Sequence, residues 1–203
     1  MDDTRADTVD LAFAVQGSSL PRDHRRALAE VLTQALPWLS DEPGAGVHRL
    51  NVAAGGGEMA LLSQRTRLTL RLPRARVGDA GALAGLGLQF GRHGLRLGEP
   101  HLRELLPHST LYAHFVATDA ADEAAFLQTV QAQLAALEVD ARAICGRRQC
   151  TEGGSLHGYG LMLDRLAPAD ALRVMANGLG PKRLWGCGLF VPHKSAAAVS
   201  SPH

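Results

Sequence analysis

Residues 178–188 read GLGPKRLWGCG, and this glycine-rich loop decides how the rest of the chain is interpreted. The basic pair Lys182 and Arg183 stands between two pairs of glycines, which are Gly178, Gly180, Gly186 and Gly188. Glycine lets a backbone adopt positive φ and approach a ligand closely, and the amides of such a loop can hold phosphate oxygens. The same glycines would also suit a tight connection in which they only relieve steric conflict. The loop is not a nucleotide-binding P-loop, because no Gly-Lys-Ser/Thr opens a helix after a strand.

The loop closes a pattern of strands and helices that occurs twice. Residues 169–176 before it have the spacing of a helix, and residues 189–193 after it that of a strand. Earlier in the second half the sequence predicts strand, helix, strand and strand at 111–117, 122–137, 141–150 and 156–163. The first half repeats this order with strand 9–15, helix 22–36, strand 47–53, a turn at Gly55–Gly57, strand 65–72, helix 79–86 and, at 88–97, a strand pair or a single bent strand. Two β-α-β-β-α-β units predict an α+β fold of tandem ferredoxin-like, RRM-like modules. We place these modules at residues 1–99 and 108–195, joined by a link bounded by Pro100 and Pro107.

Composition excludes several classes of protein. The chain of 203 residues is 46% hydrophobic, so it can bury a core, and its net charge of +1 gives no general argument for nucleic acid. Three cysteines without a CxxC pair argue against a disulfide framework or zinc finger, and they fit a reducing cytoplasm. No secretory leader and no apolar stretch of membrane-spanning length is recognised, so we expect a cytoplasmic protein with no membrane partner. No Asp/Glu/His cluster has metal-ligand spacing, and we expect neither a metal ion nor a cofactor.

The loop resembles the signature of the RAMP superfamily of CRISPR systems, written glycine-apolar-glycine, five residues, glycine-apolar-glycine. The start LPRDHRRALAEVL (20–32) and the end FVPHKS (190–195) are similar to the pre-crRNA-processing endoribonucleases of that superfamily. The resemblance covers Val9 to Ser195. It implies that the chain binds CRISPR repeat RNA and cuts it without a metal, by attack of a ribose 2′-hydroxyl on the adjacent phosphate. It also implies that the product stays bound and that other Cas effector-complex subunits are partners.

Two histidines are candidates for proton transfer, because imidazole is suited to general acid–base catalysis near neutral pH. The family places a catalytic histidine at or beside its first helix, so the resemblance carries this role to His24. His48, at the start of the next strand, is the second catalytic candidate. Each has an ordinary alternative: His24 could simply complete its helix face, and His48 could be a polar residue at a strand edge. The first module has no Tyr or Lys to complete a trio, which leaves the partner open among Arg22, Arg25, Arg26, Ser18 and Ser19.

The RNA-binding candidates are basic residues and the loop itself. They are Arg22, Arg25, Arg26, Arg147, Arg148, Gly178, Gly180, Lys182, Arg183, Gly186 and Gly188. Arg65, Arg67 and Arg71 are spaced to share one outward strand face, where they could contact phosphates. For both arginine groups the alternative is a solvated surface. Only 4% of residues are aromatic, so extensive base stacking is not expected.

Two other functions remain open on the sequence alone. A non-catalytic RAMP-type RNA-binding subunit of a CRISPR effector complex would share the loop and the fold, but it would leave repeat RNA uncut. A small-molecule-binding or regulatory tandem ferredoxin-like protein would be indifferent to RNA and to salt.

Overall fold

A computed structural model describes residues 7–54, 59–91 and 93–193. The turn expected at Gly55–Gly57 and the ends of both modules expected from the sequence, residues 1–6 and 194–195, lie outside the described residues. The chain divides into two compact units, with the boundary after Leu105, and the segment Leu184–Gly186 groups with the first unit.

The first unit has a five-stranded antiparallel sheet with the order β3-β6-β1-β8-β7 and a small sheet with the order β2-β5-β4. Its helices are α1 (Arg25–Ala35) and the short α2 (Val77–Ala80). Its strands are β1 (Thr8–Gln16), β2 (Ser19–Pro21), β3 (Gly46–Val47), β4 (Ala53–Ala54), β5 (Met59–Leu61), β6 (Arg67–Pro73), β7 (Gly87–Phe90) and β8 (His93–Glu104). Strand alternation directs one face of β1 and β6 into a core that includes Leu11, Phe13, Leu68 and Leu70.

The second unit is built from β9 (Leu111–Ala117), α3 (Glu123–Ala136), β10 (Arg142–Thr151), β11 (Leu156–Asp164), α4 (Pro168–Asn177) and β12 (Val191–Pro192). Its sheet has the order β10-β11-β9-β12, so the first strand lies between the third and the fourth. In the first unit the strands β3-β6-β1-β8 have the same arrangement. Both units are therefore ferredoxin-like, and the predicted α+β class is confirmed.

Several element boundaries differ from the sequence prediction. The helix expected at 22–36 begins only at Arg25, because Pro21 ends β2, which pairs with β5. The strand expected at 47–53 is two separate pieces, β3 and β4. The link expected after Pro100 is strand as far as Glu104, since this part of β8 pairs with β1 from Val9 onward.

Other short elements are smaller than expected. The second helix of the first unit is a single turn, Val77–Ala80, followed by a 3-10 turn at Gly81–Leu83. The last strand is only Val191–Pro192. Among the described residues, no helix is long and apolar enough to cross a membrane.

Candidate active site and RNA-binding residues

His24 is the N-cap of α1 rather than a residue of its first turn. Its backbone carbonyl accepts the first helical hydrogen bond, from the Leu28 amide, at 2.8 Å. Its side chain is almost buried, with 6% of the residue exposed. The ring atom Nδ1 lies 2.9 Å from the Pro21 carbonyl oxygen. A carbonyl oxygen only accepts, so this hydrogen bond requires the proton on Nδ1, and in the neutral ring Nε2 is then the basic atom.

A small cleft surrounds the start of α1. The residues that line it are His24, Arg25, Leu28, Val47, His48, Arg49, Leu50, Leu184, Trp185 and Gly186. The two histidines predicted from the sequence therefore border the same cleft. Its interior has room for at most about one water molecule, so it admits a hydroxyl group rather than a whole nucleotide.

One wall of the cleft is the tip of the glycine-rich loop, residues 184–186. The Arg25 NH1 group donates to the Trp185 carbonyl and to the Gly186 carbonyl, at 3.1 Å in each case. Arg25 was a candidate for RNA binding, but its guanidinium contacts the protein's own backbone. Leu184 packs against the hydrophobic core of the first unit.

The His48 side chain contacts a carboxylate. Its Nε2 lies 3.2 Å from Asp10 Oδ1. Val47 is part of the core, so alternation places the His48 side chain on the opposite face of the sheet, where Asp10 and Arg71 also lie. The structure thus brings residues 24 and 48 to one cleft, and the His48 imidazole also contacts Asp10.

Arg71 was expected on an outward face, and that prediction is wrong. Its side chain is 1% exposed, and it forms a two-point ion pair with Asp10, Nε to Oδ1 at 2.8 Å and NH2 to Oδ2 at 3.0 Å. Burial would raise the pKa of Asp10, but the hydrogen bonds and positive charges of His48 and Arg71 outweigh it and hold the pKa well below its usual range. Arg71 is therefore a buried structural cation and not a surface group for phosphate. The sequence feature that could have indicated a buried ion pair is Asp10, the single carboxylate in the otherwise apolar strand predicted at 9–15.

The glycines of the loop serve the loop's own packing. A Cβ on Gly188 would lie 1.8 Å from the Leu179 carbonyl oxygen, and one on Gly178 would lie 2.5 Å from the Gly188 carbonyl oxygen. Several loop amides also donate within the protein: Leu179 to the Gly188 carbonyl, Gly180 to Gln133 Oε1, and Gly188 to the Phe115 carbonyl. These amides do not offer the phosphate contacts that the sequence suggested for the loop.

The basic pair in the loop has two different environments. The Lys182 side chain is exposed, and its backbone has a φ of 67°. The Arg183 guanidinium donates to the carbonyls of Ala176 and Asn177 at the C-terminal end of α4. A cation at this end of a helix is favourable because carbonyl groups there are left without helical partners.

The remaining arginine candidates lie at the surface. Arg22 is exposed beside α1, and Arg26 pairs with Glu30 one helical turn later, with both side chains more than half exposed. Arg147 and Arg148 are exposed on β10 and line a shallow depression. That depression also contains Asp122 and Glu123, whose negative charges partly offset the two arginines.

Across residues 7–54, 59–91 and 93–193, no group of three or more His, Cys, Asp or Glu side chains is arranged to hold a metal ion.

Comparison with known proteins identifies relatives over nearly the whole chain. The family model described as Cas6 Crispr matches residues 9–195. A protein of Myxococcus xanthus (strain DK1622), named CRISPR-associated endonuclease Cas6, is 37% identical over 196 residues, which cover 95% of this chain and 85% of that protein.

Similar folds occur among solved structures. One described as CRISPR associated protein Cas6 has a TM-score of 0.67 at 10% identity, covering 92% of this chain and 100% of its own. A second, described as the product of a Cas6-related gene from Pyrococcus furiosus, has a TM-score of 0.59 at 12% identity. The match covers 91% of this chain and 98% of that one. A third, described as an RAMP protein binding different RNA substrates, has a TM-score of 0.59 at 10% identity. The match covers 90% of this chain and 98% of that one. At these identities the likeness establishes the fold.

Proposed function

Because the chain belongs to the Cas6 family of CRISPR-associated endonucleases, we propose that it binds CRISPR repeat RNA and cuts pre-crRNA into guide RNAs. The Myxococcus relative is named an endonuclease, and the RAMP structure of the same fold is described as binding RNA. We further propose that the two ferredoxin-like units correspond to the two modules expected at 1–99 and 108–195.

The observation that carries the catalytic proposal is the environment of His24. A ribose 2′-hydroxyl is a poor nucleophile and needs a base, and the Nδ1–Pro21 hydrogen bond leaves Nε2 as the basic atom of the neutral ring. In our proposal Nε2 takes the 2′-hydroxyl proton, the 2′-oxygen forms a bond to the adjacent phosphorus, and the bond from phosphorus to the 5′-oxygen breaks. The leaving 5′-oxygen gains a proton from solvent, and the His24 imidazolium returns its proton to solvent. The products are a 2′,3′-cyclic phosphate and a 5′-hydroxyl end, and no water is consumed.

Exposed basic side chains would hold the substrate. We propose Arg22, Arg26, Lys182, Arg147 and Arg148 for phosphate contacts, since these five side chains reach the surface in whole or in part. We also propose that the cut RNA remains bound and that other Cas subunits then recognise the complex. We propose as well that the cleavage itself requires no metal ion.

One experiment tests the reaction. Purified protein is incubated in excess EDTA with end-labelled repeat RNA and with the same RNA carrying a 2′-deoxyribose just 5′ of the scissile phosphate. We expect the first RNA to be cut to a cyclic phosphate and the second to be bound but not cut. A strict Mg²⁺ requirement, or cleavage of the deoxy substrate at the same bond, would overturn the mechanism. Tight binding of both RNAs without any cleavage would favour the non-catalytic RAMP subunit.

A further inference from the structure

We propose that Arg25 is a positioning residue that holds the loop tip, residues 184–186, in place as a wall of the His24 cleft. The inference deepens the proposed endoribonuclease function and rests on it where catalysis is concerned. It also changes the role expected of Arg25, from contact with RNA phosphate to contact with the protein backbone.

The first support is the geometry of the guanidinium. One terminal nitrogen, NH1, donates to two successive carbonyl oxygens, those of Trp185 and Gly186, at 3.1 Å each. Two carbonyls that converge on one cation are fixed relative to each other, and hydrogen bonds from a charged donor are stronger than neutral ones. Arg25 is also the first residue of α1, so the contact ties the loop tip to the residue directly after His24.

The second support is the fit of Gly186 against the same surface. Its φ is +73°, and a Cβ there would lie 3.1 Å from the Val47 carbonyl oxygen and 3.3 Å from Arg25 NH1. The loop tip therefore lies so close to β3 and Arg25 that a Cβ would fit only if a neighbouring atom moved by a few tenths of an ångström. The Leu184 side chain adds a contact with the core of the first unit.

The consequence concerns catalysis rather than affinity. Leu184, Trp185 and Gly186 line the cleft together with His24, so a displaced tip changes the space into which the 2′-hydroxyl must fit. Misplacement of reacting groups by about 1 Å can cost about 100-fold in rate. A phosphate contact would instead act on affinity and on its salt dependence.

The test uses Arg25→Gln, with Arg22→Gln as the matched control on a neighbouring exposed arginine. The chain has two tryptophans, so a Trp38→Phe background makes Trp185 the sole reporter of the loop tip. For Arg25→Gln we expect shifted Trp185 emission without RNA, single-turnover cleavage slower by about 10- to 100-fold, and an unchanged salt slope of RNA binding. For Arg22→Gln we expect unchanged emission and a salt slope lower by about 0.7 to 0.9.

A second variant disturbs the tip without removing the charge. Gly186→Ala should shift Trp185 emission and slow cleavage in the same way, and the double variant should be no slower than the more affected single one, because both act on one contact. If Arg25→Gln fails to fold, the same measurements are made on Arg25→Lys. Lysine keeps the positive charge but lacks the planar guanidinium group.

The inference is overturned if Arg25→Gln or Arg25→Lys leaves Trp185 emission and the cleavage rate unchanged, or if the salt slope of Arg25→Gln falls as it does in the Arg22 control. Fully additive effects of Arg25→Gln and Gly186→Ala would also reject it. The emission measurement needs no RNA, so the contact itself remains testable if the protein proves not to cleave repeat RNA.

Discussion

The hydrogen bond between His24 and Pro21 gives the two ring nitrogens different tasks. Nδ1 is held by the carbonyl, which fixes the orientation of the ring, and Nε2 is the atom that can accept a proton. The side chain forms no capping hydrogen bond with α1, so a substitution removes no cap from the helix, although it does remove a nearly buried ring and its hydrogen bond to Pro21. We expect a substitution at this position to slow the chemistry by more than its cost in stability explains.

We expect His24→Ala to lower single-turnover cleavage of repeat RNA by about 100-fold or more while binding changes little, because a general base is typically worth about 10²–10⁴ in rate. His48→Ala should be milder, since its imidazole contacts Asp10 on another face of the sheet. The measurement is cleavage rate at saturating protein. If His24→Ala cuts at the wild-type rate and His48→Ala does not, the site lies at β3.

The ion pair between Asp10 and Arg71 predicts a pH-dependent contribution to stability. Asp10→Asn leaves the buried Arg71 without its counter-charge, which should lower the free energy of unfolding by about 3–5 kcal/mol at pH 7. The pKa of Asp10 is lowered in the folded protein, so the contribution is present above the unfolded value of about 3.9 and is lost progressively as the pH falls below it.

Urea unfolding of the wild type and of Asp10→Asn from pH 7 downward measures this contribution. The difference between the two free energies should begin to shrink at about pH 4, where Asp10 begins to be protonated in the unfolded chain, and should keep shrinking as the pH falls further. Asp79→Asn is the control, because its pair with Arg76 is exposed and should change little. A difference between wild type and Asp10→Asn that is constant from pH 7 to acid would contradict the expectation.

Arg71 also shows what single residues reveal before a structure is known. Alternation along RTRLTLRL correctly separates Arg71 from Leu70 and Leu72, which face the core. Alternation predicts which face of the strand a side chain is on, but it does not predict whether that face is buried. It also cannot identify an ion-pair partner on a neighbouring strand. Arg25 is similar, since its two acceptors lie about 160 residues further along the chain.

At the scale of elements, long strands and helices followed the sequence pattern because their apolar spacing is sustained over many residues. Strand β1 and helix α3 lie within two residues of their predicted ends. The two-residue strands β3 and β12 have no period of their own, so only tertiary pairing defines them. Pro21 was assigned to the first turn of a helix, where proline is common, but its pairing with Met59 keeps it in β2.

Gly188 in the glycine-rich loop and Gly154 in the turn between β10 and β11 provide a test at this scale, because their surroundings differ. A Cβ on Gly188 would lie 1.8 Å from a carbonyl oxygen, whereas one on Gly154 would meet no atom within 4 Å, although φ is positive at both. Gly154→Ala should therefore cost only about 1–2 kcal/mol for backbone strain. Gly188→Ala should cost more than about 4 kcal/mol or prevent folding, because the backbone of the loop must move.

Thermal or urea unfolding of the two variants gives the comparison directly. Equal losses in the free energy of unfolding for the two variants would mean that positive φ alone explains why these positions are glycine. The close packing of residues 178–188 would then contribute nothing to the cost of substitution. Loss of RNA binding in a stable Gly188→Ala protein would instead assign this backbone a role in the RNA contact.

At the scale of the whole molecule, a net charge of +1 means that RNA must be attracted by local groups of arginine and lysine. Among the described residues, at least five of these cations already pair with carboxylates: Arg26 with Glu30, Arg71 with Asp10, Arg74 with Glu104, Arg76 with Asp79 and Glu42, and Arg173 with Asp170. The number of phosphates that the protein neutralises should therefore be far smaller than its 21 basic residues.

The adjacent pair Lys182 and Arg183 gives the sharpest prediction on this point, because the sequence treats them alike and the structure does not. Lys182→Ala should lower the salt slope of repeat RNA binding by about 0.7 to 0.9, the loss of one phosphate contact. Arg183→Ala should leave the slope unchanged and lower the free energy of unfolding by about 1 kcal/mol, since its guanidinium donates to the Ala176 and Asn177 carbonyls at the end of α4. Binding isotherms between about 50 and 200 mM salt, with a urea melt of each variant, separate the two effects. A lower slope for Arg183→Ala would show that this side chain leaves the helix end to contact RNA, and an unchanged slope for Lys182→Ala would remove the loop from the RNA-binding surface.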